Sequence, residues 1–273
     1  MDTYGYCSPV IEEKSGSSDS SKRAAFFDVD NTLIKGSSLY FLSRGMYSRG
    51  FFNKRDILAF VIANLRFKLS GEKSQDEVDR IQNAAMKVVK GKNVDEMLAM
   101  GDEIYTKYVT PTLWEGTLEL AREHISQGEE VWLVTATPVE VANLIAERLG
   151  LTGGVGTVAE KKNGEYTGFI EGKLLHGKEK ALAVVRLAEE HGFDLKQCYA
   201  YSDSHNDFPL LESVGNPRAI NPDALLRIRA AKDHWPIYDF RRARWLTSIV
   251  APIINRAAAI AGGMNATLKK KKR

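Results

Sequence analysis

The stretch Phe26-Phe27-Asp28-Val29-Asp30-Asn31-Thr32-Leu33 constrains this chain more than any other. An apolar run beginning at Ala24 reads as a short buried strand over Ala24–Val29, and it stops in two carboxylates one residue apart. Side chains on an extended strand alternate faces, so Asp28 and Asp30 are expected to point the same way. Two anions aimed at one spot repel unless a cation or a proton lies between them. Open parallel sheets place their chemistry just beyond the carboxyl ends of strands, where this pair falls. Taken alone, the same residues fit equally well an Asx turn that caps a helix.

Three later segments change that balance. A second apolar strand, Val131-Trp132-Leu133-Val134, ends in Thr135. Lys180, in Gly177-Lys178-Glu179-Lys180, stands at the head of a helical pattern. Tyr199-Ala200-Tyr201 then runs into Ser202-Asp203-Ser204-His205-Asn206-Asp207. In this order the four segments resemble the motifs of the haloacid dehalogenase (HAD) superfamily of phosphohydrolases, and they span residues 26–207. The resemblance is to subfamily IB, the phosphoserine-phosphatase-like branch. It implies an α/β fold, with a HAD-like doubly wound parallel sheet (a Rossmann-like core) and an inserted helical cap domain. Strands that are near-continuous apolar runs, alternating with helical patterns, independently argue for a doubly wound parallel sheet.

The division expected along the chain follows. Residues 1–22 are polar and aperiodic, too poor in apolar surface to offset their ordering entropy, and read as a disordered lead-in. Residues 23–36 and 128–240 form the HAD-like core. Residues 37–127 read as helical: Leu39, Leu42, Met46 and Tyr47 keep a 3.6 period. So do Ile57, Phe60, Val61 and Leu65, and further stripes begin at Val78 and Val94. A helix from Leu113 to Ile125, opened by Thr110-Pro111, leads back to the second strand. This arrangement resembles the small cap of subfamily IB. Later expectations are a helix over Val139–Leu149 closed by Gly150, a type I′ hairpin around Asn163-Gly164, and a helix over Lys180–His191. After them come a strand over Gln197–Ser202, a helix over Asp207–Val214, a strand over Arg218–Asn221 and a helix over Ala224–Ala231.

The resemblance also assigns roles. Asp28 attacks phosphorus and becomes an aspartyl phosphate that water cleaves, and Asp30 serves as the acid and base. Mg²⁺ is held by the carboxylates of Asp28 and Asp203 and by the backbone carbonyl of Asp30. Asp207 orients a metal-bound water or Lys180. Lys180 balances charge between the nucleophile and the phosphoryl oxygens, and Thr135 donates its hydroxyl to those oxygens. Asn206 is a polar contact to substrate. Alkoxide leaving groups need a proton that halides do not, so Asp30 favours a phosphatase over a dehalogenase. For Thr135 a helix N-cap before Pro138, and for Lys180 a solvated helix position, are the plain structural alternatives.

The sequence departs from the family at two places. Ser202 stands where Gly is usual, and Lys35-Gly36-Ser37-Ser38 has no acid where phosphoserine phosphatases hold the substrate ammonium. The expected function is therefore a Mg²⁺-dependent phosphatase of small phosphate monoesters. The alternatives are a catalytically idle HAD-like binding or membrane-associated scaffold, or a phosphoserine phosphatase proper.

Lys269–Arg273 carry five of the charges behind the net +3, so the remainder sums to 3 − 5 = −2 and gives no reason to expect a nucleic-acid partner. Cys7 and Cys198 form neither a disulfide framework nor a CxxC pair, and the first 22 residues have no apolar signal region, so the cytoplasm is the expected setting. The five histidines are too dispersed for a zinc site, although His205 lies inside the acidic motif. Residues 241–273 form a basic, partly apolar tail in which Pro252, Asn255 and Arg256 interrupt the apolar stretch 246–263. It reads either as an interfacial helix in peripheral contact with an anionic membrane at its inner face, or as a helix packed on the core. Oligomeric state is left open.

Overall fold

The computed structural model describes residues 22–51, 58, 62 and 89–241. The chain falls into two compact units, Met1–Ile237 and Tyr238–Arg273. The lead-in expected over 1–22, the stripes at 57–65 and 78–89, and the tail lie almost wholly outside the described residues. Of the second unit Tyr238–Arg241 are described, and there Arg241 Nε meets Asp239 Oδ1 at 3.0 Å.

Seven strands form one sheet in the order β4-β3-β2-β1-β5-β6-β7. They are β1 (Ala24–Phe27), β2 (Glu130–Pro138), β3 (Gly153–Lys162), β4 (Glu165–Glu171), β5 (Tyr199–Ser202), β6 (Asn216–Ile220) and β7 (Ile237–Tyr238). β1 is central and runs parallel to both β2 and β5, with Phe27 opposite Leu133 on one side and Tyr201 on the other. β2–β3 and β5–β6 are also parallel, and the β3–β4 hairpin is antiparallel. Asn163 and Gly164 take φ of 54° and 80° at its turn, the pair of positive angles that a type I′ turn requires.

Alternation along the strands divides the core. Phe26, Trp132, Val134 and Ala200 face one side, packed with Val184, Leu187, Leu210 and Leu226 from later helices. Phe27 faces the other and stacks on Tyr201 at 4.1 Å, with His124 of the Glu115–Ser126 helix beside it. Burial on both faces is why these strands read as unbroken apolar runs. Cys198 is completely buried, but it is more than filler: its Sγ accepts a hydrogen bond from Ala24 N at 3.3 Å.

Several boundaries differ from expectation for local reasons. β1 ends at Phe27, because Leu33 N and Ile34 N both bond to Val29 O and draw the chain into a turn. Asn31 adopts φ of 59° there. β2 runs three residues past Thr135, through a register irregularity, before the Val139–Leu149 helix starts. The helix expected from Leu113 starts at Glu115, because Thr110–Thr112 form a 3₁₀ turn and Leu113 is extended, bridged antiparallel to Ile34. Lys35 N to Thr112 O (2.7 Å) and Trp114 N to Leu33 O (2.9 Å) complete this short ladder. The chain leaving at Ile34 and the chain returning at Leu113 therefore lie side by side, a few residues after Asp28 and Asp30. The Lys178–His191 and Ala224–Lys232 helices and the Val139–Leu149 helix, closed by Gly150 at φ 68°, fall where expected.

Within 37–127, α1 (Ser38–Ser48) carries Met46 against Ile104, and a Cβ on Gly45 would stand 2.4 Å from Ile104 Cγ1. Glycine at 45 is what permits so close an approach. The region 94–112 is less regular than its periodicity suggests: two short helices, Val94–Ala99 and Gly101–Ile104, lead into a π-helical turn at Tyr105–Val109.

Candidate active site

Asp28 is the first residue beyond β1, and its N–H donates to Tyr201 O of β5 at 2.9 Å. Its carboxylate is almost fully buried and is held from two directions. Lys180 Nζ donates to Oδ1 at 2.6 Å, and Thr32 Oγ1 donates to Oδ2 at 3.2 Å. Lys180, on the first turn of its helix, also donates to Asp207 Oδ2 at 2.8 Å, and that same oxygen accepts from Ser202 Oγ at 2.7 Å. Lys180 is 4% exposed, which excludes a solvated helix position. Serine in place of the usual glycine at 202 thus supplies a donor to Asp207 as well as accepting from Ser204 N at 3.2 Å.

The cluster is short of cations. Burial pushes Asp28 up to about 7 despite Lys180, and Asp207 and Asp30 add to the rise. Burial likewise lifts Asp203 to about 8, with Asp28 and Asp207 the next causes. Burial alone would lower the Lys180 pKa, but the fields of Asp207 and Asp28 outweigh it and hold the ammonium charged. One lysine is bonded to Asp28 and Asp207, with Asp203 close by. Asp28 and Asp203 are both raised from 3.8, so the folded chain binds more protons than the unfolded one. Their contribution to stability is present at low pH and is lost as pH climbs from about 4 towards 8.

That imbalance is what a divalent cation would correct. Among the described residues no three acidic, His or Cys side chains converge as a cage. The expected set fits this, since it needs two carboxylates and one backbone carbonyl, with water filling the remaining octahedral positions.

Asp30 lies in the turn beyond β1 rather than on the strand, and its partners differ from those of Asp28. Its Oδ1 accepts from Ser38 N (2.8 Å) and Ser38 Oγ (2.6 Å) at the head of α1. Ser38 Oγ lies 2.5 Å from Thr137 Oγ1, which in turn accepts from Thr135 Oγ1 at 3.1 Å. Thr135 is buried inside β2 and is not a helix cap: Pro138 holds that place, with no side-chain bond. Asn206 is not drawn into the buried cluster; it stays exposed and its amide donates to Ser204 Oγ at 3.0 Å. His205 Nδ1 pairs with Asp223 Oδ2 at 2.8 Å. Ser38, Thr137 and the Ser202 hydroxyl were missed as partners. Serine and threonine are common, and Ser38 and Thr137 lie in no motif spacing that would single them out, while Ser202 stood out only as a departure from glycine.

Carboxylates and a buried lysine gathered beyond the carboxyl ends of β1 and β5 lie where open α/β sheets carry their chemistry. The chain belongs to the haloacid dehalogenase-like hydrolase family, whose family model matches residues 25–212. Phosphoserine phosphatase SerB1 of Mycobacterium tuberculosis is 47% identical over 249 residues, covering 91% of this chain and 80% of its own length. Among solved structures, a protein of unknown function from Bordetella pertussis Tohama I matches with TM-score 0.71 and 28% identity, over 81% of this chain and 100% of its own. A substrate-bound phosphoserine phosphatase matches with TM-score 0.57 and 19% identity, over 82% of this chain and 97% of its own, a likeness of fold alone. The expected class, a HAD-family phosphatase rather than an idle scaffold, is borne out.

Proposed function

We propose that this chain is a Mg²⁺-dependent phosphatase of small phosphate monoesters that works through an aspartyl phosphate on Asp28. The observation that carries the reading is the buried Asp28–Lys180–Asp207 bridge beside Asp203. Phosphate monoesters are among the slowest esters to hydrolyse, so positioning and charge neutralisation must provide most of the acceleration. A carboxylate oxygen of Asp28 bonds to phosphorus as the bond to the leaving oxygen breaks. Asp30 gives that oxygen its proton, then takes one from the water that cleaves the aspartyl phosphate. Lys180 offsets charge on the nucleophile and the phosphoryl oxygens, Thr135 donates to those oxygens, and Asp207 fixes Lys180 from behind. Asp28, Asp203 and the Asp30 carbonyl would hold Mg²⁺, which when bound neutralises phosphoryl charge. Residues 37–127 act as a cap over this site, joined to the core through the Ile34–Leu113 ladder. Asn206 contacts substrate from the rim.

Metal and protons compete for Asp28 and Asp203. A fixed Mg²⁺ concentration about 100-fold its Kd at pH 8 adds roughly 2.7 kcal/mol to stability there, and the gain is expected to be smaller at pH 6, where protons raise the apparent Kd. Thermal melts with and without Mg²⁺ at the two pH values measure it, and equal shifts would contradict this assignment of the ligands.

The relatedness to a phosphoserine phosphatase favours a second reading, in which phosphoserine is the substrate. Against it, Lys35-Gly36-Ser37-Ser38 offers no carboxylate to an ammonium group, and Ser38 is committed to Asp30. Across a panel of phosphorylated metabolites, phosphoserine is expected to show no advantage. A kcat/KM for phosphoserine on the order of 10⁴ M⁻¹s⁻¹ or higher, well above its competitors, would establish the second reading instead. A cytoplasmic setting, and peripheral attachment of residues 241–273 to an anionic membrane, belong to the same proposal. The basic clusters flanking Trp245 and the apolar 246–263 stretch support the attachment, and no helix among the described residues is long and apolar enough to cross a bilayer.

A further inference from the structure

Asp30 and Thr135 are joined by an unbroken chain of hydroxyls. Asp30 Oδ1 accepts both the N–H and the O–H of Ser38, at 2.8 and 2.6 Å. A hydroxyl has one proton, so Ser38, having given its own to Asp30, can meet Thr137 Oγ1 at 2.5 Å only as an acceptor. Thr137 has then spent its proton too, and its oxygen accepts from Thr135 Oγ1 at 3.1 Å. With a carboxylate oxygen at one end, every proton in the chain points towards Asp30. Ser38, Thr137 and Thr135 are 1%, 5% and 2% exposed, so water does not compete for these positions.

We infer that Ser38 is a positioning residue for Asp30, and that through Thr137 it couples the acid–base carboxylate to the phosphate-binding hydroxyl of Thr135. The inference rests on the proposed roles of Asp30 and Thr135. In the arrangement seen, Ser38 fixes the rotamer of Asp30, while the Thr135 proton is committed to Thr137. Both Ser38 donors go to Oδ1, so that bond stays in place while the other carboxylate oxygen of Asp30 gives its proton to a leaving oxygen. Thr135 turns its proton to a phosphoryl oxygen when substrate enters, with Thr137 still donating to Ser38. Acid and phosphate donor are thus held in place by one buried chain. Ser38 is the first residue of α1, so the same bond ties the start of the cap region to the catalytic carboxylate.

The test uses leaving groups. Phosphoryl transfer to Asp28 is the step that kcat/KM reports, and it needs a proton from Asp30 for an alkyl monoester but not for p-nitrophenyl phosphate. In the full chain with Mg²⁺, Ser38→Ala is expected to lower kcat/KM about tenfold or more for an alkyl monoester, yet within about threefold for p-nitrophenyl phosphate. Ser38→Thr keeps both donors and is expected to restore most of the loss. Thr137→Val removes the buttress without touching Asp30, so it reports the same ordering of substrates if Ser38→Ala fails to fold. One common factor for all leaving groups in both variants, with Asp28→Asn inactive, would overturn the coupling alone. Asp28→Asn turning over like the wild type would overturn the function on which the inference rests.

Discussion

Replacing Asp28 by Asn is expected to reduce turnover of every phosphomonoester by on the order of 10⁴-fold or more, since a nucleophile has no substitute within its own site. The substitution keeps the size and shape of the side chain and leaves Lys180 paired with Asp207 at 2.8 Å. It also removes a carboxylate that burial disfavours, with a pKa pushed up to about 7. The protein should therefore remain folded, and at pH 8 without metal its Tm should match or exceed that of the wild type. Loss of activity with Tm retained separates the chemical role from a structural one. Steady-state assay with p-nitrophenyl phosphate and a melting curve measure both, and a loss below about tenfold would mean that Asp28 is not the nucleophile.

Lys180→Met is expected to damage folding as well as catalysis. Lys180 is the sole side-chain cation bonded to Asp28 and Asp207 among the described residues, and all three groups are buried. Removing one member of a buried ion pair leaves an uncompensated charge and costs about 3–5 kcal/mol. At about 2–4 °C per kcal/mol for a domain of this size, Tm should fall by about 10 °C at pH 8. The loss should shrink towards pH 5, because Asp28, already raised to about 7, takes up a proton more readily still without Lys180, and a protonated carboxyl is far cheaper to bury. Melting curves across that range decide the matter. A Tm change under about 2 °C at pH 8 would show that the bridge contributes little to the fold.

What could be read from the sequence depended on how local its cause was. Asp28, Lys180, Asp203 and Asp207 were legible because each ends or opens an element whose pattern is strong. The partners of Asp30 were not, since they follow from a turn in which Asn31 takes positive φ and its N–H bonds Gly36 O. Nor was the Ser38–Thr137 contact, made by two ordinary residues 99 positions apart. His124 stands for a third kind of omission. Its dispersal argued only against zinc, yet it is buried between Glu129 Oε2 at 2.5 Å and Tyr201 Oη at 2.7 Å, under the ring that stacks on Phe27. An apolar period marks such a position as core and says nothing of its polar partners. The region 94–112 was overdrawn as regular helix, because periodicity does not distinguish one long helix from short pieces joined by π and 3₁₀ turns.

The central claim is that phosphate passes through Asp28. Enzyme mixed with a ³²P-labelled monoester and Mg²⁺ and quenched in acid during turnover should retain label on the peptide containing Asp28. The label should be absent from Asp28→Asn and should chase off with unlabelled substrate at the rate of turnover. Label on another residue, or full turnover with no labelled protein at any quench time, would contradict the account.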